Sequence, residues 1–294
     1  MAAPATGTRV EVAGRTLRLS SLDKILYPAT ETTKAEVLHY YAQVGAVMLP
    51  HMAGRPVTRV RWPHGVAGPS FFEKNLPSGA PSWLPRTRID DITYPMITDL
   101  ADLTYLVNLN SVEFHVPQWQ VAGEGIRANP DRMVIDLDPG KPAGLRECAQ
   151  VAVHVRERLE DLGLELFPVT SGSKGMQLYA ALGGDLRSDQ VRDLAATLAQ
   201  ELTKRFPDLI LWKMTKSLRP GKVFLDWSQN VAAKTTICPY SLRGRETPTV
   251  AAPRTWSEIE AAAHGEGVIE QVLFDDAIDR LAAWGDLLAP LTTR

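Results

Sequence analysis

The chain reads as a mixed α and β protein of the α+β class, and three observations carry that reading. A strand, helix and strand follow one another from about residue 132 to residue 170, and a second helix follows a further strand. Two Thr-x-x-Glu capping boxes, Thr33 with Glu36 and Thr255 with Glu258, mark helix starts at opposite ends of the chain. The polar residues of interest fall on the strands rather than on the helices. At 294 residues with 45% hydrophobic content, there is enough apolar side chain for a substantial core.

The elements follow in order. Behind Thr33, the periodic apolar residues Val37, Tyr40, Tyr41 and Val44 predict a first helix that stops near Pro50. Arg132 to Asp138 is extended, Gly144 to Leu162 is amphipathic, and Leu164 to Thr170 is extended again. After a Ser-Gly-Ser-Lys-Gly turn come a strand from Met176 to Leu182, a helix from Ser188 to Arg205 and a strand from Val223 to Trp227. No repeat, low-complexity tract or long linker divides the chain, so residues 1–294 read as one domain.

Bulk properties exclude several classes. Cys148 and Cys238 form neither a disulfide framework nor the paired spacing of a zinc site, which fits a reducing cytoplasm. The segment from Met1 to Arg9 lacks the apolar core of a signal peptide, and no later run is long enough to span a bilayer, so no membrane partner is expected. The net charge of −2 conceals an asymmetry: between Lys213 and Arg245, seven basic residues stand against the single acid Asp226. That segment carries +6 and the remainder −8. It reads either as a site for a phosphate-rich ligand or as a solvated basic face.

In Met133-Val-Ile-Asp-Leu-Asp-Pro-Gly140, alternation turns Met133, Ile135 and Leu137 to one face and Asp136 and Asp138 to the other. Neighbouring carboxylates repel unless a cation lies between them, and a hard divalent ion with oxygen ligands suits the pair. Phosphoryl and nucleotidyl transfer use such an arrangement, with ions about 4 Å apart. Alone, Asp-x-Asp also occurs at solvated strand ends and in sugar-nucleotide transferases. Asp226, on an apolar strand, could supply a third carboxylate or be held by a local Arg. Ser171-Gly-Ser-Lys-Gly175 lets the backbone turn sharply and aim N–H groups at an anion, with Lys174 adding charge, or it is an ordinary hairpin turn. His115 shares a strand face with Glu113 and reads as a proton carrier or as a satisfied core histidine. Phe71 and Phe72, being adjacent, cannot both face one core, so one is expected outside for stacking on a base.

Taken together these segments resemble the polymerase domain of bacterial ligase D, in the archaeo-eukaryotic primase superfamily, and its stand-alone relatives called Prim-PolC. The resemblance rests on Leu22-Asp-Lys-Ile-Leu-Tyr-Pro28, Gly54-Arg-Pro56, Arg61-Trp-Pro63, Phe71-Phe-Glu-Lys74, Glu113-Phe-His-Val-Pro-Gln-Trp119, Asp136-Leu-Asp-Pro-Gly140, Thr170-Ser-Gly-Ser-Lys-Gly175, Asp226-Trp-Ser-Gln-Asn230 and Pro239-Tyr-Ser-Leu-Arg-Gly244, which run nearly end to end. It implies a primase-polymerase fold, with mixed sheets enclosing a catalytic cleft flanked by helices. It also implies an enzyme that adds ribonucleotides or deoxyribonucleotides to primer ends, fills short gaps and repairs broken DNA ends.

By position, the resemblance makes Asp136, Asp138 and Asp226 the ligands of manganese or magnesium, with His115 beside the catalytic centre. Ser171, Lys174, Gln177, Arg219, Gln229 and Arg243 become the groups that hold the incoming nucleotide. Lys24 and Lys34 become the grip on a downstream 5′-phosphate, and Phe71 and Phe72 the aromatics near the templating base. Implied partners are gapped or broken DNA, nucleoside triphosphates, and the end-binding protein Ku or a DNA ligase. The expected setting is a monomer in the bacterial nucleoid.

Two departures stand out: Met176-Gln177 replaces Leu-His after the turn, and Val60 replaces a Lys. The first puts nucleotide affinity or sugar preference in question, because a neutral amide cannot carry positive charge. No ligase or nuclease domain fits beside this one in 294 residues, so the chain reads either as a stand-alone enzyme or as an excised domain of a longer ligase, although Pro290-Leu-Thr-Thr-Arg294 resembles an ordinary terminus. A metal-dependent phosphohydrolase or nuclease, and a catalytically silent end-binding module, are the rival readings. Primer extension separates all three.

Overall fold

The structure, a computed structural model, describes residues 7–123 and 125–293, so the sequence readings at Met1–Thr6 and at Arg294 lie outside the described residues. Its centre is a six-stranded sheet in the order Ile210–Leu211, Val223–Asp226, Arg132–Pro139, Met176–Ala181, Leu166–Thr170, Ala252–Pro253. All neighbours are antiparallel except the first two strands, which run parallel. A four-stranded antiparallel sheet has the order Thr236–Ile237, Ser111–Val116, Thr58–Arg61, Phe71–Glu73. Short two-stranded ribbons surround them, among them Arg86–Ile89 with Ile92–Pro95.

The two faces of the large sheet have different chemistry because side chains alternate along each strand. Met133, Ile135, Leu137, Met176, Leu178, Ala180, Val223 and Leu225 form one apolar core cluster with helices α3 (Leu145–Glu160), α4 (Ser188–Arg205) and α5 (Trp256–His264). On the opposite face Val134, Phe167, Val169 and Tyr179 join a second cluster with α1 (Lys34–Met52), α2 (Leu100–Asn108) and the four-stranded sheet. The Tyr179 hydroxyl lies 3.1 Å from the carbonyl of Ile237, which ties the two sheets together. Beyond this packed zone, the same face carries Asp136 and Asp138.

Most expected elements appear within two residues of their predicted ends. The first helix instead continues through Pro50 to Met52. Proline forfeits one helical N–H bond, but the last turn buries Met48, His51 and Met52, and the Ala53 amide closes it on the Leu49 carbonyl at 3.0 Å. Tertiary packing therefore offsets the lost bond. The Val223 strand ends at Asp226 rather than Trp227, because the Asp226 carboxylate caps a 3₁₀ turn over Trp227–Asn230 by accepting from the Ser228 amide at 2.9 Å. Both capping boxes are present in full, and both cysteines are free and buried. No helix among the described residues is long and apolar enough to cross a membrane.

In α1 the Thr33 hydroxyl accepts from the Glu36 amide at 3.3 Å, and the Glu36 carboxylate accepts from the Thr33 amide at 2.7 Å. Thr33→Ala is expected to lower stability by about 1 kcal/mol, read as a shift of the urea midpoint at unchanged slope, and Thr33→Ser to restore most of it.

Candidate active site

Strand register brings the carboxylates together. Asp136 lies directly opposite Asp226 on one neighbouring strand and opposite Gln177 on the other, so the three side chains form one row across the sheet. Directly opposed residues in an antiparallel pair have Cα atoms about 5 Å apart. Asp138, two residues along, stands on the same face opposite Phe224. Burial pushes the Asp136 carboxyl up to about 7, and the charges of Asp138 and then Asp226 push it the same way, against the Gln177 amide and Arg243. Crowded carboxylates with no cation among them behave this way.

Nearby cations answer part of that charge. Lys174 Nζ is 3.4 Å and Arg219 Nη1 3.7 Å from the Asp138 carboxylate, while Lys234 Nζ is 3.5 Å from Asp226. The Arg219 guanidinium lies over the Phe224 ring at 4.0 Å, which fixes it above the strand. Among the described residues Asp136 has no such ion pair and accepts instead from the Gln177 amide at 3.2 Å. As the side chains stand, no three His, Cys, Asp or Glu residues among the described residues gather closely enough to enclose a metal ion. The donor set still fits a hard divalent cation: two carboxylates facing each other in register, a third beside them, and mutual repulsion that a cation would relieve.

Of the two readings of the Ser171–Gly175 turn, the hydrogen bonds favour the hairpin. In Ser171–Gly175 the amides of Ser173 and Gly175 donate to the Ser171 hydroxyl, each at 3.3 Å, and the Gly172 amide donates to Gln271 at 2.7 Å. These N–H groups hold the turn itself and are not aimed at an anion. Ser171 is buried as the turn's internal acceptor, leaving the largely exposed Lys174 as the group it presents. Gly175 is required for close approach: a Cβ there would lie 2.1 Å from the Leu137 carbonyl oxygen. Gln177 also differs in detail from a free cleft residue. It shares a face with Tyr179 as alternation predicts, but its amide is engaged at both ends, by Asp136 and by the Tyr179 hydroxyl at 3.1 Å.

The four-stranded sheet supplies the opposing group. Buried Glu113 accepts from the Gly244 amide at 2.9 Å, lies 3.2 Å from Arg243 Nε, and bonds the His115 ring at 2.9 Å. Its carboxyl is held down to about 2: burial acts upward, but the His115 hydrogen bond and the charge of Arg243 outweigh it. Arg243, whose charge also reaches Asp136, is thus anchored from the second sheet. Sequence reading paired Glu113 with His115 but missed its hold on Arg243, which only the fold brings near. Phe71 and Phe72 are both exposed, where one was expected outside, because their strand is the sheet's edge. The Phe72 ring meets His115 edge-on at 6.2 Å.

Gln229 is half-buried in the 3₁₀ turn. Lys24 and Lys34 make a separate pair: their ammonium groups rest on the carbonyls of Pro63 and Ser20, and the Lys34 amide donates to the Lys24 carbonyl at 2.8 Å. Lys34 is only 2% exposed, and burial together with the Lys24 charge brings it down to about 8.

A six-stranded sheet with a carboxylate row, closed on one side by helices and faced on the other by a basic wall, defines a polymerase-type α+β domain. The polymerase domain of Mycobacterium tuberculosis ligase D, solved in complex with DNA, has the same fold, with a TM-score of 0.88 at 48% identity over 94% of this chain and 98% of that one. The chain belongs to the LigD primase-polymerase domain family, whose model matches residues 33–288. The multifunctional non-homologous end joining protein LigD of Mycolicibacterium smegmatis is 52% identical over 279 residues, 94% of this chain and 36% of that protein. The bifunctional non-homologous end joining protein LigD of Bacillus subtilis is 34% identical over 272 residues, 92% of this chain and 43% of that protein. The chain thus spans well under half the length of these relatives.

The raised Asp136 carboxyl has a stability consequence. Between about pH 4 and pH 7 the folded chain holds a proton that the unfolded chain has released, so stability without metal falls as pH rises across that window. Asp136→Asn should remove a cost on the order of 2–4 kcal/mol at pH 8. In chelator-treated protein, its gain in urea midpoint over wild type is expected to be larger at pH 8 than at pH 5. An equal gain at both would show that Asp136 is not crowded.

Proposed function

We propose that the chain is a template-directed nucleotidyltransferase that adds ribonucleotides or deoxyribonucleotides to primer 3′-hydroxyl ends at short gaps and broken DNA ends. The observation that carries this reading is the register of Asp136 against Asp226, with Asp138 beside them and Lys174, Arg219 and Arg243 around them. Such a site meets the needs of α-phosphate attack with loss of pyrophosphate, where positioning and charge stabilisation do most of the catalytic work. Manganese or magnesium, held by Asp136, Asp138 and Asp226, would supply the positive charge that stabilises the attacking and leaving oxygens.

The remaining work falls to this chain's own side chains. Lys174 and Arg219, drawn to Asp138 in the free protein, bind the triphosphate as point charge and planar fork. Arg243 is held for the same task by Glu113, which also fixes the His115 ring. Gln177 orients Asp136. Exposed Phe71 and Phe72 offer stacking surface for a base, as is usual where single strands are held. The match to a polymerase domain in complex with DNA supports DNA as the partner, and the family match over residues 33–288 supports reading the chain as one catalytic domain. A ligase, on the same polypeptide or a separate one, and the end-binding protein Ku complete the proposed setting.

Labelled primer on gapped DNA, incubated with manganese and either nucleotide type, is expected to lengthen. Shortening would favour a nuclease, and no change a silent binding module. Asp136→Ala, Asp138→Ala and Asp226→Ala should each reduce extension by more than about a thousandfold, roughly 4 kcal/mol of barrier. Activity near wild type in any of them refutes that residue's assignment.

Lys24 and Lys34 fit a downstream 5′-phosphate, since two adjacent cations resting on carbonyls gain from a shared anion. Lys34→Ala is expected to cut the preference for phosphorylated over unphosphorylated gaps by about tenfold. Because Lys34 loses its proton near pH 8 in the free protein, the wild-type preference should weaken as pH rises above that value. Phosphate binding itself moves the loss upward. Fluorescence anisotropy of both gap types from pH 7 to pH 9.5 tests this.

A further inference from the structure

The Ser171–Gly175 turn closes on itself through the Ser171 amide, which donates to the Gly175 carbonyl at 3.0 Å. Gly172 and Gly175 leave the loop between them pliant, and the Ser173 and Gly175 amides reach the Ser171 hydroxyl only at 3.3 Å. The firmer hold comes from a side chain 99 residues further along the sequence. Gln271 Oε1 accepts from the Gly172 amide at 2.7 Å, and Nε2 of the same side chain donates to the Gly175 carbonyl at 3.1 Å. One amide therefore spans both ends of the turn. The task needs an acceptor and a donor on neighbouring atoms, which an ionised glutamate lacks.

The turn is also seated on the segment that carries Arg243. Gly172 has a φ of +67°, and a Cβ there would lie 2.6 Å from Arg243 Cγ and 2.7 Å from the Val250 carbonyl carbon. The Thr249 hydroxyl donates to the Gly172 carbonyl at 2.5 Å, and the Arg243 amide donates to the Thr249 carbonyl at 2.8 Å. Gln271 reaches this place because the two residues after it, Val272–Leu273, pair with Thr249–Val250 just ahead of α6 (Phe274–Trp284). A ribbon near the C-terminus thus presses the turn against the basic wall of the cleft.

Lys174 is the group that this turn presents, with its Nζ 3.4 Å from the Asp138 carboxylate and its side chain 60% exposed. A cation on a long flexible stem gives up much of its binding free energy to ordering unless its backbone is fixed beforehand. We infer, on the reading above that Lys174 holds the triphosphate, that Gln271 is a positioning residue, whose amide clamps both ends of the turn and so sets Lys174 over the carboxylate row. Gln271 acts through Lys174 and not on the nucleotide.

Gln271→Met keeps the length of the side chain and removes both hydrogen bonds. Gln271 is half-buried and borders a cavity of about 490 Å³, so a second variant, Gln271→Ala, leaves no sealed void. The full chain, without DNA, is titrated with ATP and magnesium by calorimetry. Lys174→Ala should bind about tenfold more weakly, the loss of one charge-assisted contact, and both Gln271 variants several-fold more weakly. Combined with Lys174→Ala, either substitution at position 271 should add no further loss, because the turn then has no cation to place. In primer extension, Gln271→Met should raise the KM for nucleotide several-fold and lower kcat less.

If Lys174→Ala weakens binding while the Gln271 variants bind as wild type does, or if the losses at the two positions add in full, Gln271 is no positioning residue. If Lys174→Ala binds as tightly as wild type, the triphosphate role of Lys174 fails and the clamp serves nothing. A chain that shows the expected binding pattern but extends no primer keeps the role of Gln271 and loses the polymerase reading.

Discussion

The register of three antiparallel strands is the constraint on which the candidate site depends. Asp226, Asp136 and Gln177 occupy one row only because Leu137 faces Leu225 and Ile135 faces Leu178 on the other side of the sheet. A one-residue slip would turn the carboxylates into the apolar layer under α3, α4 and α5 and bring Ile135 and Leu137 into the cleft. The helical layer therefore does more than cover the sheet. Its fit to Met133, Ile135 and Leu137 opposes the burial, and after it the repulsion, that raise the Asp136 carboxyl to about 7.

Alternation made much of this legible. Placing Asp136 and Asp138 opposite Met133, Ile135 and Leu137 needed only period two, and each of those apolar residues is fully buried. The capping boxes at Thr33 and Thr255 were equally readable, since both partners of each lie three residues apart. Asp226 was a different case. Its strand could be read, but nothing local says which strand it pairs with, and the family resemblance rather than periodicity joined it to the other two carboxylates.

What escaped the sequence was set by contacts between distant segments or by competition for hydrogen bonds. The Ser171 turn has the glycines of an anion cradle, yet its own hydroxyl and Gln271, a hundred or so positions on, take the amides. Proline near the end of α1 should have stopped it, but the burial of His51 and Met52 outweighed one lost bond. Two adjacent phenylalanines should have split between core and solvent. That expectation assumed a core on one side, and an edge strand has none there.

The division of labour between the two sheets gives the Met176-Gln177 departure its physical meaning. Arg243 comes from the opposing wall and is neutralised there by Glu113, so its influence on Asp136 is muted. Gln177 adds a hydrogen bond to Asp136 but no charge. A histidine at this place, able to protonate, would pull the Asp136 carboxyl down and could donate a charged hydrogen bond to it. With glutamine, burial and the neighbouring carboxylates leave the Asp136 carboxyl at about 7, so below that pH a cation entering the row must displace a proton. In the free protein the departure therefore bears on the proton balance of the carboxylate row, through the Gln177 hydrogen bond to Asp136.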